Sequence, residues 1–132
     1  MVFVMADPAR RGGRVQIDAG LAALEGELLS PLHPVGLVVL PTVGEPQRRA
    51  ADQVAAALQP VGLAALRVDL LTGAEREYDV CGGDLSADRN FLAERISGIA
   101  TWALEHFAPG PSGGHRVGCF ASGSTADAAR LA

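Results

Sequence analysis

The residues best able to do covalent chemistry lie in the run Ala121-Ser122-Gly123-Ser124-Thr125-Ala126. A serine that leaves a strand and opens a helix can serve as a nucleophile when small residues flank it two positions either side, because they let the strained turn form and present the hydroxyl. Ser124 has Ser122 before and Ala126 after it at that spacing, with Gly123 adjacent to relieve strain, a permissive version of G-x-S-x-G. Ser122 ranks below it, since Phe120 occupies the position where a bulky side chain obstructs the turn. A competing reading makes Ser122, Ser124 and Thr125 helix caps, their oxygens accepting from orphan amides. A third notes that Gly118 to Thr125 spells G-x-x-x-x-G-x-T, a P-loop outline. Ser124 stands where that loop needs lysine, and the sequence contains no lysine at all, which also excludes Schiff-base catalysis. No G-x-G-x-x-G follows a strand, so a dinucleotide site has no support.

Other reactive side chains are sparse. Cys81 and Cys119 stand far apart and outside C-x-x-C spacing, so neither a zinc ribbon nor a disulfide scaffold is expected, and both read as small buried thiols. His33, His106 and His115 fall on a linker, a helix end and a loop, where solvation is expected. After Ser124 the only ionisable residues are Asp127 and Arg130, and Asp127 suits the positive end of a helix. A net charge of −4 gives no field for nucleic acid or anionic lipid. No run approaches the roughly 20 apolar residues that span a bilayer, and Met1 to Met5 is too short for a signal segment, so a cytoplasmic protein without a membrane role is expected.

The elements that must position these residues belong to one domain, since 132 residues with 48% apolar content can build one core. Residues 1–13 read as a mobile arm, rich in glycine and arginine near its end. Arg14 to Asp18 and Leu21 to Leu28 read as a hairpin joined at Ala19-Gly20, and Pro31 and Pro34 then break the chain. Val35 to Leu40 is apolar throughout, the pattern of a central parallel strand. A helix over Gln47 to Gln59 is expected to bury Ala50, Val54, Ala57 and Leu58 and to turn Arg48, Arg49, Asp52 and Gln53 outward. Leu63 to Leu70 returns as a strand, and Thr72 to Asp84 reads as a surface excursion. A helix from Ser86 or Asp88 to about His106 carries Phe91, Ile96, Ile99, Ala100, Ala103 and Phe107 on one stripe. A short strand over Arg116 to Ala121 leads into a last helix. This order predicts an α/β fold, a mostly parallel sheet with an N-terminal antiparallel hairpin and helices on both faces. Ligand chemistry then belongs at the carboxyl ends of the strands, at Pro41-Thr42-Val43-Gly44 and at Ala121 to Ala126.

Read as text from Val15 to about Leu131, the chain resembles the dienelactone hydrolase family of α/β-hydrolases, especially bacterial serine-type members. The likeness runs through Val15-Gln-Ile-Asp, Leu24-Glu-Gly-Glu-Leu, Gly36-Leu-Val-Val-Leu, Ala51 to Leu58, Gly62 to Thr72, Phe91-Leu-Ala-Glu-Arg-Ile96, Thr101-Trp102 and Val117-Gly118. The resemblance implies ester or lactone hydrolysis through an acyl-enzyme, without metal or organic cofactor. It assigns Ser124 as nucleophile, the Thr125 amide as one oxyanion donor and an amide of Thr42 or Val43 as the other. Two departures stand out. Pro41-Thr42-Val43-Gly44 replaces the family's His-Gly opening, and counting forward from Gly118 places the family nucleophile on Gly123. The acid and histidine that follow the nucleophile in α/β-hydrolases are absent after Ser124. The expectation is therefore a truncated α/β-hydrolase-like fold, residues 14–132 forming its N-terminal half, inactive alone on small esters or lactones. The alternative is a non-catalytic binding or assembly module. An open sheet edge predicts a partner, either a second copy or a complementing C-terminal half.

Overall fold

The computed structural model describes residues 10–83, 85–107, 117–121 and 124–131. Strands β1 (Arg10–Ala19) and β2 (Ala22–Pro31) form the expected hairpin, with Ile17 and Leu24 buried between exposed neighbours. The turn is one residue later than expected. Ala19 pairs with Ala22, and Gly20 takes φ 65° at the first turn position, where a hairpin needs positive φ. The ladder also reaches back to Arg10, opposite Pro31, so residues 10–13, assigned to the arm, belong to the sheet. Their backbone pairing with Leu28 to Pro31 holds Gly12 and Gly13 extended despite the entropy that glycine loses there. Residues 1–9 lie outside the described part.

Strands β3 (Gly36–Thr42), β4 (Leu63–Asp69) and β5 (Val117–Cys119) complete a sheet of order β1-β2-β4-β3-β5. The sheet is mixed. β2 runs antiparallel to β4, while β3 lies parallel to both β4 and β5, so the parallel part is confined to three strands and the hairpin extends it on one side. Helix α1 (Glu45–Leu58) covers one face over Leu40 and Ala65. Helices α3 (Arg89–His106) and α4 (Ser124–Leu131) cover the other over Leu37, Val39, Leu66 and Val68. The α/β architecture with helices on both faces is the predicted one. α3 crosses the end of β1 closely, for a Cβ on Gly98 would lie 2.9 Å from that of Ala19.

Two helical features differ from expectation. α1 starts at Glu45 and buries Ala51 and Ala55, leaving Ala50 and Ala57 exposed and Arg48 half-buried. Val54 and Leu58 pack against the core as expected, so the covered face is shifted toward Ala51 and Ala55, and Arg48 on its flank reaches Asp69 at the end of β4. The excursion after β4 is also ordered. Thr72 caps a short helix α2 (Gly73–Tyr78) in a capping box, Glu75 N donating to Thr72 Oγ1 and Thr72 N to Glu75 Oε1. Arg95 of α3 ties this segment down with bonds of 2.8 and 2.6 Å to the two Glu75 oxygens and 2.8 Å to the Leu70 carbonyl. Its guanidinium also lies over the Phe91 ring. Among the described residues, no helix is long and apolar enough to cross a membrane.

Candidate active site

Parallel pairing sets the geometry of the site. β3 and β5 pair from Leu37 opposite Val117 to Val39 opposite Cys119, and Phe120 N donates to Val39 O at 2.9 Å. Neighbouring parallel strands leave a sheet at the same edge, so the segment Thr42-Val43-Gly44 and Phe120 at the end of β5 emerge side by side. Ser124 is the first residue of α4, and Thr125 is fully buried behind it. Ser122 and Gly123 lie outside the described residues, as does His115.

The β3 loop is tightly held. Thr42 is buried, its Oγ1 donates to Asp69 Oδ1 at 3.0 Å, and its carbonyl accepts from Leu70 N at 2.9 Å. A strand residue turns its N–H and C=O to the same side, so the Thr42 amide faces β4. The next N–H, that of Val43, points the opposite way, toward the β5 side. It donates to Gln47 Oε1 at 3.0 Å. Of the Thr42 and Val43 amides, that of Val43 is therefore the one turned toward the β5 side, and its partner is the Gln47 side-chain oxygen.

Asp69 is the hub of this edge. Besides Thr42 it accepts from Arg48 Nη2 at 3.1 Å and faces Arg76 Nη1 at 3.6 Å, while Arg48 Nη1 donates to Glu45 Oε2. These side chains, with Val43 and Gly44, line an open cleft of about 240 Å³. Two guanidinium groups against two carboxylates leave it close to neutral. Arg48 was expected to face solvent and Asp69 was not singled out. The signal available was a lone acidic residue closing an apolar strand, Leu66-Arg-Val-Asp69-Leu.

Remaining candidates are structural or remote. Cys81 and Cys119 are both exposed, which corrects their expected burial: one sits in the excursion after α2, the other on the short edge strand. One side of Cys119 faces an apolar cleft with Val39, Ile96 and Ala100, and this partial desolvation pushes its thiol above the ordinary value, away from the reactive thiolate. His106 is exposed, stacks on Trp102 with ring centroids 4.7 Å apart, and has Nδ1 2.9 Å from the Trp102 carbonyl. It ends α3, whereas His33 is exposed in the linker before β3, so both lie toward the amino ends of the strands, opposite the site. Among the described residues, no cluster of His, Cys, Asp or Glu could hold a metal ion.

Similarity to solved structures agrees with this geometry. A dienelactone hydrolase from Anabaena variabilis superposes with a TM-score of 0.69 and 32% identity over 86% of this chain and 52% of its own. The chain belongs to the dienelactone hydrolase family of α/β-hydrolases. Two more distant structures share the fold. A dienelactone hydrolase-like promiscuous phosphotriesterase from metagenomic libraries matches with a TM-score of 0.60 and 18% identity over 93% of this chain and 55% of its own. A cold-adapted esterase from an Arctic intertidal metagenomic library matches with a TM-score of 0.59 and 14% identity over 91% and 51%. The chain thus spans about half the length of the dienelactone hydrolase structures that it matches. No model of a protein family matches it, and no match is found among curated proteins.

Proposed function

We propose that this chain supplies the nucleophile and oxyanion side of a site that hydrolyses esters or lactones. Ser124 is the nucleophile, the Thr125 amide one oxyanion donor, and the Val43 amide the other, with Thr42 as the less well directed choice. The observation that carries this reading is the parallel pairing of β3 with β5, which brings the Val43 loop and the start of α4 to one edge of the sheet. In the reaction, the Ser124 oxygen attacks the acyl carbon, the carbonyl oxygen becomes an oxyanion facing the two amides, and the alcohol leaves as the acyl-enzyme forms. The hydroxyl proton needs a base. Among the described histidines, His33 and His106 lie at the opposite edge, and the base is assigned to neither of them. By themselves the 132 residues turn substrate over slowly or not at all.

The test supplies a base in solution. The chain is incubated with p-nitrophenyl butyrate and imidazole, and the protein is analysed by peptide mass mapping. One butyryl group on Ser124 is expected, lost in Ser124→Ala and kept in Ser122→Ala. Acylation on Ser122, or at no hydroxyl of this segment, removes the assignment. A second reading, a non-catalytic assembly module, draws on the outer edge of β5, where Phe120 is 52% exposed beside the apolar cleft that Cys119 borders. It predicts self-association or capture of a complementing half. A monomer at high concentration in size-exclusion chromatography, with no binding of a hydrophobic dye, rules it out.

A further inference from the structure

The peptide joining Thr42 to Val43 is bonded on both sides. Its carbonyl accepts from Leu70 N of the segment after β4, and its N–H donates to the side-chain oxygen of Gln47. In a trans peptide these two groups point in opposite directions, so the bond to Leu70 fixes the direction of the Val43 N–H whether or not Gln47 is there. The Thr42 hydroxyl on Asp69 adds a second tether. Nor does the start of α1 depend on Gln47, for Arg48 N already donates to Gly44 O at 2.9 Å. A donor aimed by the sheet therefore carries an acceptor supplied from the helix.

We propose that Gln47 Oε1 occupies the oxygen position of the oxyanion site, standing in for the acyl oxygen, and has to swing away before an acyl group can bind. The inference rests on the hydrolase reading above, because it takes the Val43 amide as an oxyanion donor. A side-chain amide oxygen and an acyl oxygen are the same kind of acceptor, so only one of them can use this N–H well at a time. The contact is broken both when substrate binds and when the transition state forms. Its cost is therefore uniform, raising KM and leaving kcat unchanged in the complete enzyme. Gln47 is a positioning residue here, acting through the amide that it covers.

Butyrate, the carboxylate that a butyryl ester releases, provides a probe that needs neither nucleophile nor base. The nitrogen-15-labelled chain is titrated with it while the Val43, Leu70 and Arg48 amides are followed by NMR. Butyrate is expected to shift the Val43 amide, with a half-saturating concentration roughly fivefold to tenfold lower in Gln47→Ala than in wild type. In Gln47→Glu that concentration rises above wild type, because a carboxylate holds the amide through a charge-assisted bond and repels the ligand. Leu70 and Arg48 keep their protection from exchange throughout. Equal half-saturation in wild type and Gln47→Ala overturns the inference and leaves the hydrolase reading standing. Loss of Leu70 and Arg48 protection in Gln47→Ala also overturns it, since Gln47 would then be holding the loop in place. If butyrate moves Val43 in no variant, that amide is not an oxyanion donor, and the inference falls together with that part of the hydrolase reading.

Discussion

The two segments that meet at the carboxyl edge of the sheet are held in contrasting ways. The loop after β3 is tied through backbone and side chains alike: Thr42 to Leu70 and Asp69, Val43 to Gln47, and Asp69 onward to Arg48. The segment after β4 shares in this, since Arg95 clamps Glu75 and the Leu70 carbonyl. On the other side, β5 is three residues long, pairs among the described residues with β3 alone, and is followed by a half-exposed Phe120, while α4 packs on α3. An oxyanion donor has to be aimed before reaction, because reorienting a dipole during the chemical step costs what catalysis is meant to save. The contrast teaches that the β3–β4 edge is tied by side chains from three separate elements, whereas the described part of the β5 side is held by strand pairing and by the packing of α4 on α3.

The contrast can be broken by mutation, and the largest effect is expected at Arg95. Arg95→Ala breaks a part-buried guanidinium–carboxylate pair and removes the Arg95 donor from the Leu70 carbonyl. Urea unfolding should then show a loss of about 2–4 kcal/mol. A loss below about 1 kcal/mol would mean that the β4 side is not clamped as described. The same variant has a pH signature. The Arg95 hydrogen bond is the main cause that holds the Glu75 carboxyl below its usual range. A carboxyl lowered in the folded state contributes stability above its unfolded value and loses it as pH falls through the folded value. The acid limb of the stability curve should therefore be shallower in Arg95→Ala than in wild type.

Asp69→Ala is expected to come next, at about 1–3 kcal/mol in the same measurement, because it leaves the Thr42 hydroxyl and the half-buried Arg48 without their shared acceptor. Asp69→Asn keeps an acceptor for Thr42 and should recover part of that loss. The smallest effect belongs to the β5 edge. Phe120→Ser should change unfolding free energy by no more than about 0.5 kcal/mol, since half of that ring is already in water. Any concentration-dependent association should weaken at the same time. A destabilisation above about 2 kcal/mol would show the edge to be as firmly held as the β3 loop and would erase the contrast.

What was legible in the sequence follows from where local pattern dominates. The central strand can be read over Gly36 to Leu40 because both of its faces are covered, although Val35 proves exposed outside it and the strand runs on to Thr42, and α3 can be read from its Asp88 cap and its repeating apolar residues. The face of α1 cannot. Alanines at 50, 51, 55, 56 and 57 point in nearly every direction, so the pattern alone does not say which of them face the sheet. α2 is too short for periodicity, yet the Thr72-Gly-Ala-Glu75 capping box was there to be read. Of the candidate site, the carboxyl-edge position of the Val43 loop was foreseen, as was the placement of Ser124 at the start of the last helix. The ionic hub around Asp69 was not, because its members come from separate elements and meet only after β3 and β4 pair. Nor was the Gln47 contact, since a glutamine three residues past the N-cap Gly44 reads as an ordinary cap.

One further consequence comes from the stacked pair at the end of α3. Trp102 is the only tryptophan in the chain, and its indole lies face to face with the His106 imidazole. All indole emission from the protein therefore arises beside a single quenching ring, at the edge of the sheet farthest from the serine. His106→Ala should brighten that signal. The two versions together would give a matched optical pair for watching this end of the fold open.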